Sequence, residues 1–302
     1  MNEHDLVKVF STDTIIIRTE LFLRDLSENK SAATVQTYGR ALGIFALWVD
    51  ELGGRIELTQ KKLELFPVYL RQRRKVTPRT ILTYLTALKK FFEYLSSVGL
   101  LEEDPAKDLK LKTRIHSTSR DFLTQDEIDR VLNVSLSDDP VPRRDQAIML
   151  LMLLEGLTEG DITNCNYGDL ENTLMGIELR IRTKSGPICI PLDSRTVTAL
   201  NHYLTTRERP IANNAPLFCT HGSNIHDERI SKRSVRSRMR IFLNQADITR
   251  EDISPQSLSY TAVYLQIQNG ISRDELRTRH RPLILFRRIE SLKEKGLIDP
   301  SF

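Results

Sequence analysis

The sequence predicts a mainly α-helical chain of two domains, with a small β-hairpin in the second. Long stretches repeat apolar residues at helical spacing, whereas residues 174–192 alternate apolar and polar side chains as a strand does. A polar stretch with neither period separates the two parts, and 302 residues suffice for two cores. We predict a helical domain at 1–107, a linker at 108–120 and an α+β domain at 121–302.

The composition is typical of a soluble globular protein, with 40% hydrophobic residues, 28% charged residues and a formal net charge of +4. The first twenty residues lack the features of a signal peptide, and no stretch has the apolar length of a membrane span, so we expect a cytoplasmic protein. Cys165, Cys189 and Cys219 are widely spaced, which predicts small core residues and no metal site. We expect no cofactor. The mildly basic balance permits a nucleic-acid partner without requiring one.

The first domain is predicted to contain four helices. Residues 31–52 carry apolar side chains three and four positions apart, and Ser31 can cap that helix. In the next long helix Thr77 suits the N-cap, Pro78 the first turn and Gly99 the position after the end. Its predicted buried stripe is Ile81, Leu85, Leu88, Phe92 and Leu95. Shorter helical stretches lie near 11–26 and 60–74.

The second domain is predicted to open on a helix, because Thr124 and Glu127 have the spacing of a capping box. The run "RDQAIMLLMLLEG", residues 144–156, is apolar on nearly every side, as expected for a helix inside a core. The alternating stretch that follows has a Ser-Gly turn at 185–186. It is therefore predicted to form a β-hairpin.

These motifs, in this order, resemble the tyrosine recombinase or phage integrase family over almost the whole chain. In the first domain the resemblance is carried by "SAATVQTYGRAL" and "TPRTILTYLTALKKFFEYL". In the second it is carried by "RDQAIMLLMLLEGLTEGDITNCNYGDL", "RTKSGPICIPL" and "ISPQSLSYTAVYLQIQNGIS". The resemblance implies a helical, SAM-like core-binding domain and a catalytic-like domain that together clamp double-stranded DNA.

The resemblance also implies a reaction, from which this sequence departs. In the family a tyrosine attacks a DNA phosphodiester, two arginines and a histidine stabilise the developing charge, and a lysine protonates the leaving oxygen. Here Thr158 stands at the first arginine position, Gln256 at the histidine position and Ser259 at the second arginine position. Without cationic donors at these positions, the family's phosphate chemistry is expected to be lost.

The nucleophile is also missing from its expected place. That position falls near Ile289, or at Phe286 in a shifted register, and no tyrosine follows Tyr264. Tyr260 and Tyr264 are alternative nucleophiles, although aromatic packing explains both more simply. The catalytic-type residues that remain are Lys184 on the hairpin, Asp161, and His280 at the later histidine.

Basic residues concentrate in three places. Residues 229–242 place three arginines on one helix face, and residues 70–79 surround a helix start, a favourable phosphate site. The resemblance adds contacts near the helix that begins at Ser31. The predicted DNA contacts are Lys30, Arg40, Arg71, Arg74, Lys75, Arg79, Lys184, Arg233, Arg236 and Arg240. The alternative is that these basic residues lie on solvated helix faces and do not contact DNA. The third cluster, 277–288, is compatible with DNA or with a neighbouring protomer.

Three functional hypotheses follow. The first is a catalytically inactive recombinase relative that binds duplex DNA and acts as a partner, regulator or competitor of an active recombinase on a mobile element. The second is an active enzyme with a displaced nucleophile, or one supplied in trans. The third is a protein-interaction scaffold without DNA binding. The closing residues, 289–302, resemble in position a tail that docks on an adjacent subunit, so a homo-oligomer or a complex with an active recombinase stays open.

Overall fold

The computed structural model describes residues 9–109, 121–183, 186–208, 210–222 and 225–302. The chain divides into two compact units, unit 1 (Met1–Ser117) and unit 2 (Thr118–Phe302). Both are mainly helical, which confirms the predicted fold class. Within the described ranges, no helix has the length and apolar character needed to cross a membrane.

Among its described residues, unit 1 contains one pair of antiparallel strands and five helices, one helix more than predicted because the stretch near 60–74 divides into two. The elements are β1 (Val9–Ser11), α1 (Thr12–Asn29), α2 (Ala32–Glu51), β2 (Arg55–Glu57), α3 (Gln60–Leu63), α4 (Leu65–Gln72) and α5 (Pro78–Ser97). The predicted caps of the two long helices are confirmed, because Ser31 accepts from the backbone of Thr34 and Thr77 from that of Thr80.

The core of unit 1 is rich in aromatic side chains. Phe45 of α2 packs edge-on against Phe66 of α4 and Phe92 of α5, with ring centroids 5.3 and 5.9 Å away. Every residue of the stripe predicted for α5 is buried, which confirms its orientation. These contacts fix α2 and α5 against one another and leave their polar faces to solvent.

The described part of unit 2 contains eight α-helices around a small sheet. The helices are α6 (Gln125–Leu132), α7 (Pro140–Leu153), α8 (Glu159–Asn164), α9 (Ser194–Leu204), α10 (Lys232–Gln245), α11 (Pro255–Gln268), α12 (Arg273–Arg279) and α13 (Pro282–Glu294). The strands are β3 (Leu170–Thr173), β4 (Gly176–Thr183), β5 (Gly186–Pro191), β6 (Cys219–Gly222) and β7 (Ile225–Arg229).

The predicted hairpin is confirmed as β4 and β5, which pair antiparallel with Ile181 opposite Ile188. The sequence did not predict β3, which completes a three-stranded sheet, or the pairs β1–β2 and β6–β7. The prediction that Cys189 is a core residue is wrong. This residue is exposed because alternate residues of β5 face outward, whereas Cys165 and Cys219 are buried as predicted.

The central helix of unit 2 is α7, which is buried over its last seven residues and packs against α9, α10 and α11. The capping box predicted at the start of α6 is confirmed, since Thr124 and Glu127 bond each other's backbone N–H groups. Around α7, apolar side chains of the neighbouring helices and of β4 and β5 form one continuous core. This core supports the loop between α7 and α8, on which the first site residue lies.

The C-terminal segment packs on its own unit. Leu292 and Ile298 are buried beside Phe122, and the carbonyl oxygen of Phe302 accepts from Nη1 of Arg273 at 3.0 Å. Lys295 lies 2.8 Å from Asp121. Burial acts to raise the pKa of Asp121, but hydrogen bonds from Lys295, the Phe122 backbone and Arg250 outweigh it and lower the pKa to about 2.

Candidate nucleic-acid interface

Thr158, which the resemblance places at the first arginine position, caps α8. Its hydroxyl donates to Oδ2 of Asp161 at 2.6 Å and accepts from the Asp161 backbone at 3.3 Å. The Thr158 backbone N–H donates to the same carboxylate oxygen at 2.9 Å. The single polar group of this side chain is therefore used within the turn, and it carries no positive charge.

Asp161 forms an ion pair with an arginine that is distant in the sequence. Its Oδ1 accepts from Nη2 of Arg281, the residue immediately before α13. Arg281 therefore neutralises a carboxylate beside the first arginine position. Asp161 and Arg281, with Thr158 and His280, line a small cavity of about 20 Å³.

Gln256, at the histidine position, contacts a buried carboxylate. Its Nε2 donates to Oε2 of Glu159 at 3.1 Å. The other oxygen, Oε1 of Glu159, accepts from Nε of Arg236 at 3.3 Å. The Glu159 side chain is 6% exposed, whereas that of Arg236 is 58% exposed. An acidic group thus stands between the histidine position and the basic face of α10.

Ser259, at the second arginine position, is 2% exposed, and its hydroxyl donates to the Leu157 carbonyl. That bond ties α11 to the loop before α8. A serine side chain is too short to hold a phosphate as a guanidinium does, and this one is already committed to the backbone. None of the three residues that the resemblance places at the family's histidine and arginine positions therefore provides a cation.

His280 lies inside the unit. It is 4% exposed, and its Nε2 is 2.7 Å from Oε1 of Gln266. Burial, followed by the positive charges of Arg288 and Arg279, lowers its pKa to about 3. His280 is therefore neutral above that pH and adds no positive charge to a phosphate site.

Arg288 was assigned to the third basic cluster but is an interior residue. It is 2% exposed, donates to the Gly156 carbonyl through both Nη atoms at 3.2 Å, and lies 5.4 Å from the ring centroid of Tyr260. Burial lowers its pKa to about 10. The sequence carried no signal for this placement, because an arginine in a basic run resembles a surface cation.

The expected nucleophile positions hold apolar residues on α13. Ile289 is buried, and Phe286 is 60% exposed. Tyr260 and Tyr264, the alternatives, both pack against the C-terminal apolar cluster around Phe122. Neither tyrosine is among the residues that line the small cavity beside Thr158.

The three arginines predicted for one face of α10 do share an exposed face, while Val235 and Met239 lie buried on the opposite side. Other members of this basic run are structural. Arg238 pairs with Asp145 at 2.5 Å, and Arg229 donates to the carbonyls of Thr163 and Cys165 at the end of α8. The exposed basic residues of this run are Lys232, Arg233, Arg236 and Arg240.

The cations predicted for unit 1 all lie at its surface. Lys30 directly precedes the capped start of α2, and Lys75 and Arg79 flank the start of α5. Arg74 is a hydrogen-bonding neighbour of the Tyr69 hydroxyl. The exposed candidates here are Lys30, Arg40, Arg71, Arg74, Lys75 and Arg79. Lys184, predicted on the hairpin of unit 2, falls outside the described residues. In the part of the chain that the structure describes, no group of His, Cys, Asp and Glu could hold a metal ion.

The comparisons with known proteins identify the class. Residues 121–278, more than half of the chain, match the model of the phage integrase family, and residues 19–100 match its N-terminal SAM-like domain. The chain belongs to the phage integrase family, which confirms the resemblance seen in the sequence.

Similar proteins include tyrosine recombinase XerD of Listeria monocytogenes, 25% identical over 247 residues that cover 80% of each chain. Tyrosine recombinase XerC of Proteus mirabilis is 26% identical, covering 78% of this chain and 76% of that one. Among solved structures, XerH recombinase bound to difH substrate has a TM-score of 0.70 at 15% identity and covers 96% of each chain. The Tn1549 transposon integrase, in complex with a circular intermediate DNA, has a TM-score of 0.68 at 14% identity, covering 92% of this chain and 98% of that one. These structures support the fold.

Proposed function

We propose that this member of the phage integrase family binds duplex DNA without cutting it. The observation that carries the proposal is the state of Thr158, Gln256 and Ser259. Each side chain is neutral, and each uses a polar group in a hydrogen bond within the protein. Stabilising a phosphoryl transition state requires cationic donors free to face the phosphate, and a covalent step requires a nucleophile.

DNA binding itself is supported by the exposed cations. Arg233 and Arg240 face solvent on α10, and helix starts in unit 1 carry further basic residues. Phosphate contacts from such side chains supply most of the affinity of proteins that bind duplex DNA. The solved DNA complexes of similar fold support the same ligand.

We propose a role in DNA recombination, in which the protein acts with or against an active tyrosine recombinase on a mobile element. It does so as a homo-oligomer or in a complex with that recombinase. An enzyme with a displaced nucleophile is the less favoured function, because Tyr260 and Tyr264 are both committed to apolar packing. A nucleophile supplied by a partner, and a scaffold that no longer touches DNA, are the remaining alternatives.

The test is a salt titration. Affinity for a fluorescently labelled duplex from the gene's own neighbourhood is measured by anisotropy between about 50 and 200 mM salt. We expect log K to fall linearly with log salt, with a slope of about −0.9 for each phosphate contacted. An affinity that ignores salt, or the absence of binding, would contradict the proposal and favour the scaffold.

A further inference from the structure

Glu159 is a buried acid in a basic neighbourhood. Its two carboxylate oxygens are divided between Arg236, at 3.3 Å, and the side-chain amide of Gln256, at 3.1 Å. Lys232 lies nearby, since its Nζ is 3.4 Å from the point where a Cβ on Gly160 would stand. A guanidinium and an amide therefore hold this carboxylate, and an ammonium group lies beside the next residue of the helix.

This donor set is not specific for a carboxylate. Guanidinium and ammonium groups hold phosphate oxygens in the same way, and an amide N–H completes such a site. Glu159 and a phosphodiester would compete for the same donors. Because the acid is part of the chain, it occupies the site at a very high effective concentration.

We propose that Glu159 fills an anion site that would otherwise take a DNA phosphate, and so keeps the phosphodiester backbone out of this part of unit 2. The inference rests on the proposed DNA binding. It assigns the contact with DNA to Arg233, Arg240 and the outward side of Arg236. Neutralising Glu159 should open the site and give the protein one further phosphate contact.

The decisive variant is Glu159→Gln, which keeps the size of the side chain and removes its charge. We expect its affinity for the duplex to be about tenfold higher than that of the unaltered protein, the usual effect of one charge-assisted hydrogen bond. The slope of log K against log salt should steepen by about 0.9. Glu251→Gln makes the same change of net charge at an exposed position and should alter affinity by less than about threefold.

The gain must depend on Arg236. In the background of Arg236→Gln, adding Glu159→Gln should no longer tighten binding, because the strongest donor of the opened site is absent. A Glu159→Gln protein that binds no tighter than the unaltered one overturns the inference, while salt-dependent binding of the unaltered protein preserves the proposed function. A gain that survives Arg236→Gln also overturns it.

A measurement without DNA tests the anion site at Glu159 separately from the proposed DNA binding. Inorganic phosphate should raise the melting temperature of Glu159→Gln and not that of the unaltered protein, even if neither binds duplex DNA. If Glu159→Gln does not fold, Glu159→Ser serves in its place, since serine is neutral and well tolerated in a first helical turn. Equal responses to phosphate in the neutral variant and the unaltered protein would contradict the inference.

Discussion

Reversing the charge of Arg233 and Arg240 together is expected to weaken duplex binding by about a hundredfold near physiological salt, and to reduce the salt slope by about 1.8. Both side chains lie on the exposed face of α10, so their loss should leave the core of unit 2 unchanged. Arg236 is kept, because it pairs with Glu159. Anisotropy across a salt series measures both quantities.

The matched control reverses Arg143 and Arg195, which have the same charge but lie on α7 and α9, where each pairs with a nearby acid. This control should change affinity only a few-fold, through net charge. If the two double variants bind alike, the exposed face of α10 is not the DNA contact. The solvated-face interpretation of the basic run would then hold.

Replacing Gly156 by alanine is expected to lower the free energy of unfolding of unit 2 by about 3 kcal/mol. Gly156 has φ of +73°, a conformation that costs any residue with a Cβ. A Cβ there would also stand 2.6 Å from Cε1 of His280 and 2.9 Å from Nη1 of Arg288. Since Gly156 lies two residues before Thr158, the change should disturb the loop before α8.

Gly270→Ala is the control for backbone strain alone. Gly270 has φ of +79° and no neighbouring atom within 4 Å of its added Cβ, so we expect a loss of about 1 kcal/mol. Urea unfolding followed by far-UV circular dichroism measures both variants. Trp48, the single tryptophan, lies in unit 1, so its fluorescence identifies the unfolding transition of that unit. Equal losses for the two variants would show that the packing around Gly156 adjusts without cost.

Much of the helical fold could be predicted from local signals. The caps at Ser31, Thr77 and Thr124 were readable because a capping side chain acts within three residues of its own position. The strands β1, β2, β6 and β7 were missed because three to five residues are too few to establish an alternation. The pairing of β1 with β2 also joins segments that are distant in the chain.

The features of the candidate site also divide into those that the sequence predicts and those that only the structure shows. The assignment of Thr158, Gln256 and Ser259 to the family positions is a prediction from the motifs alone. The sequence did not reveal that Arg281 pairs with Asp161, that Arg288 lies buried beneath Gly156, or that Glu159 joins α8 to Arg236. Those contacts link segments 77 or more residues apart, and an arginine in a basic run has no local signature of burial.

Reversible binding and covalent attachment to DNA are distinguished by a gel shift with labelled duplex from the gene's own neighbourhood, run both natively and after boiling in detergent. An active tyrosine recombinase with its own site serves as the control for a covalent link. We predict a native shift that detergent abolishes, because the proposed function has no nucleophile and no cationic donors at the catalytic positions to form or stabilise a phosphotyrosyl bond. A band that survives detergent would contradict it and show that strand cleavage persists.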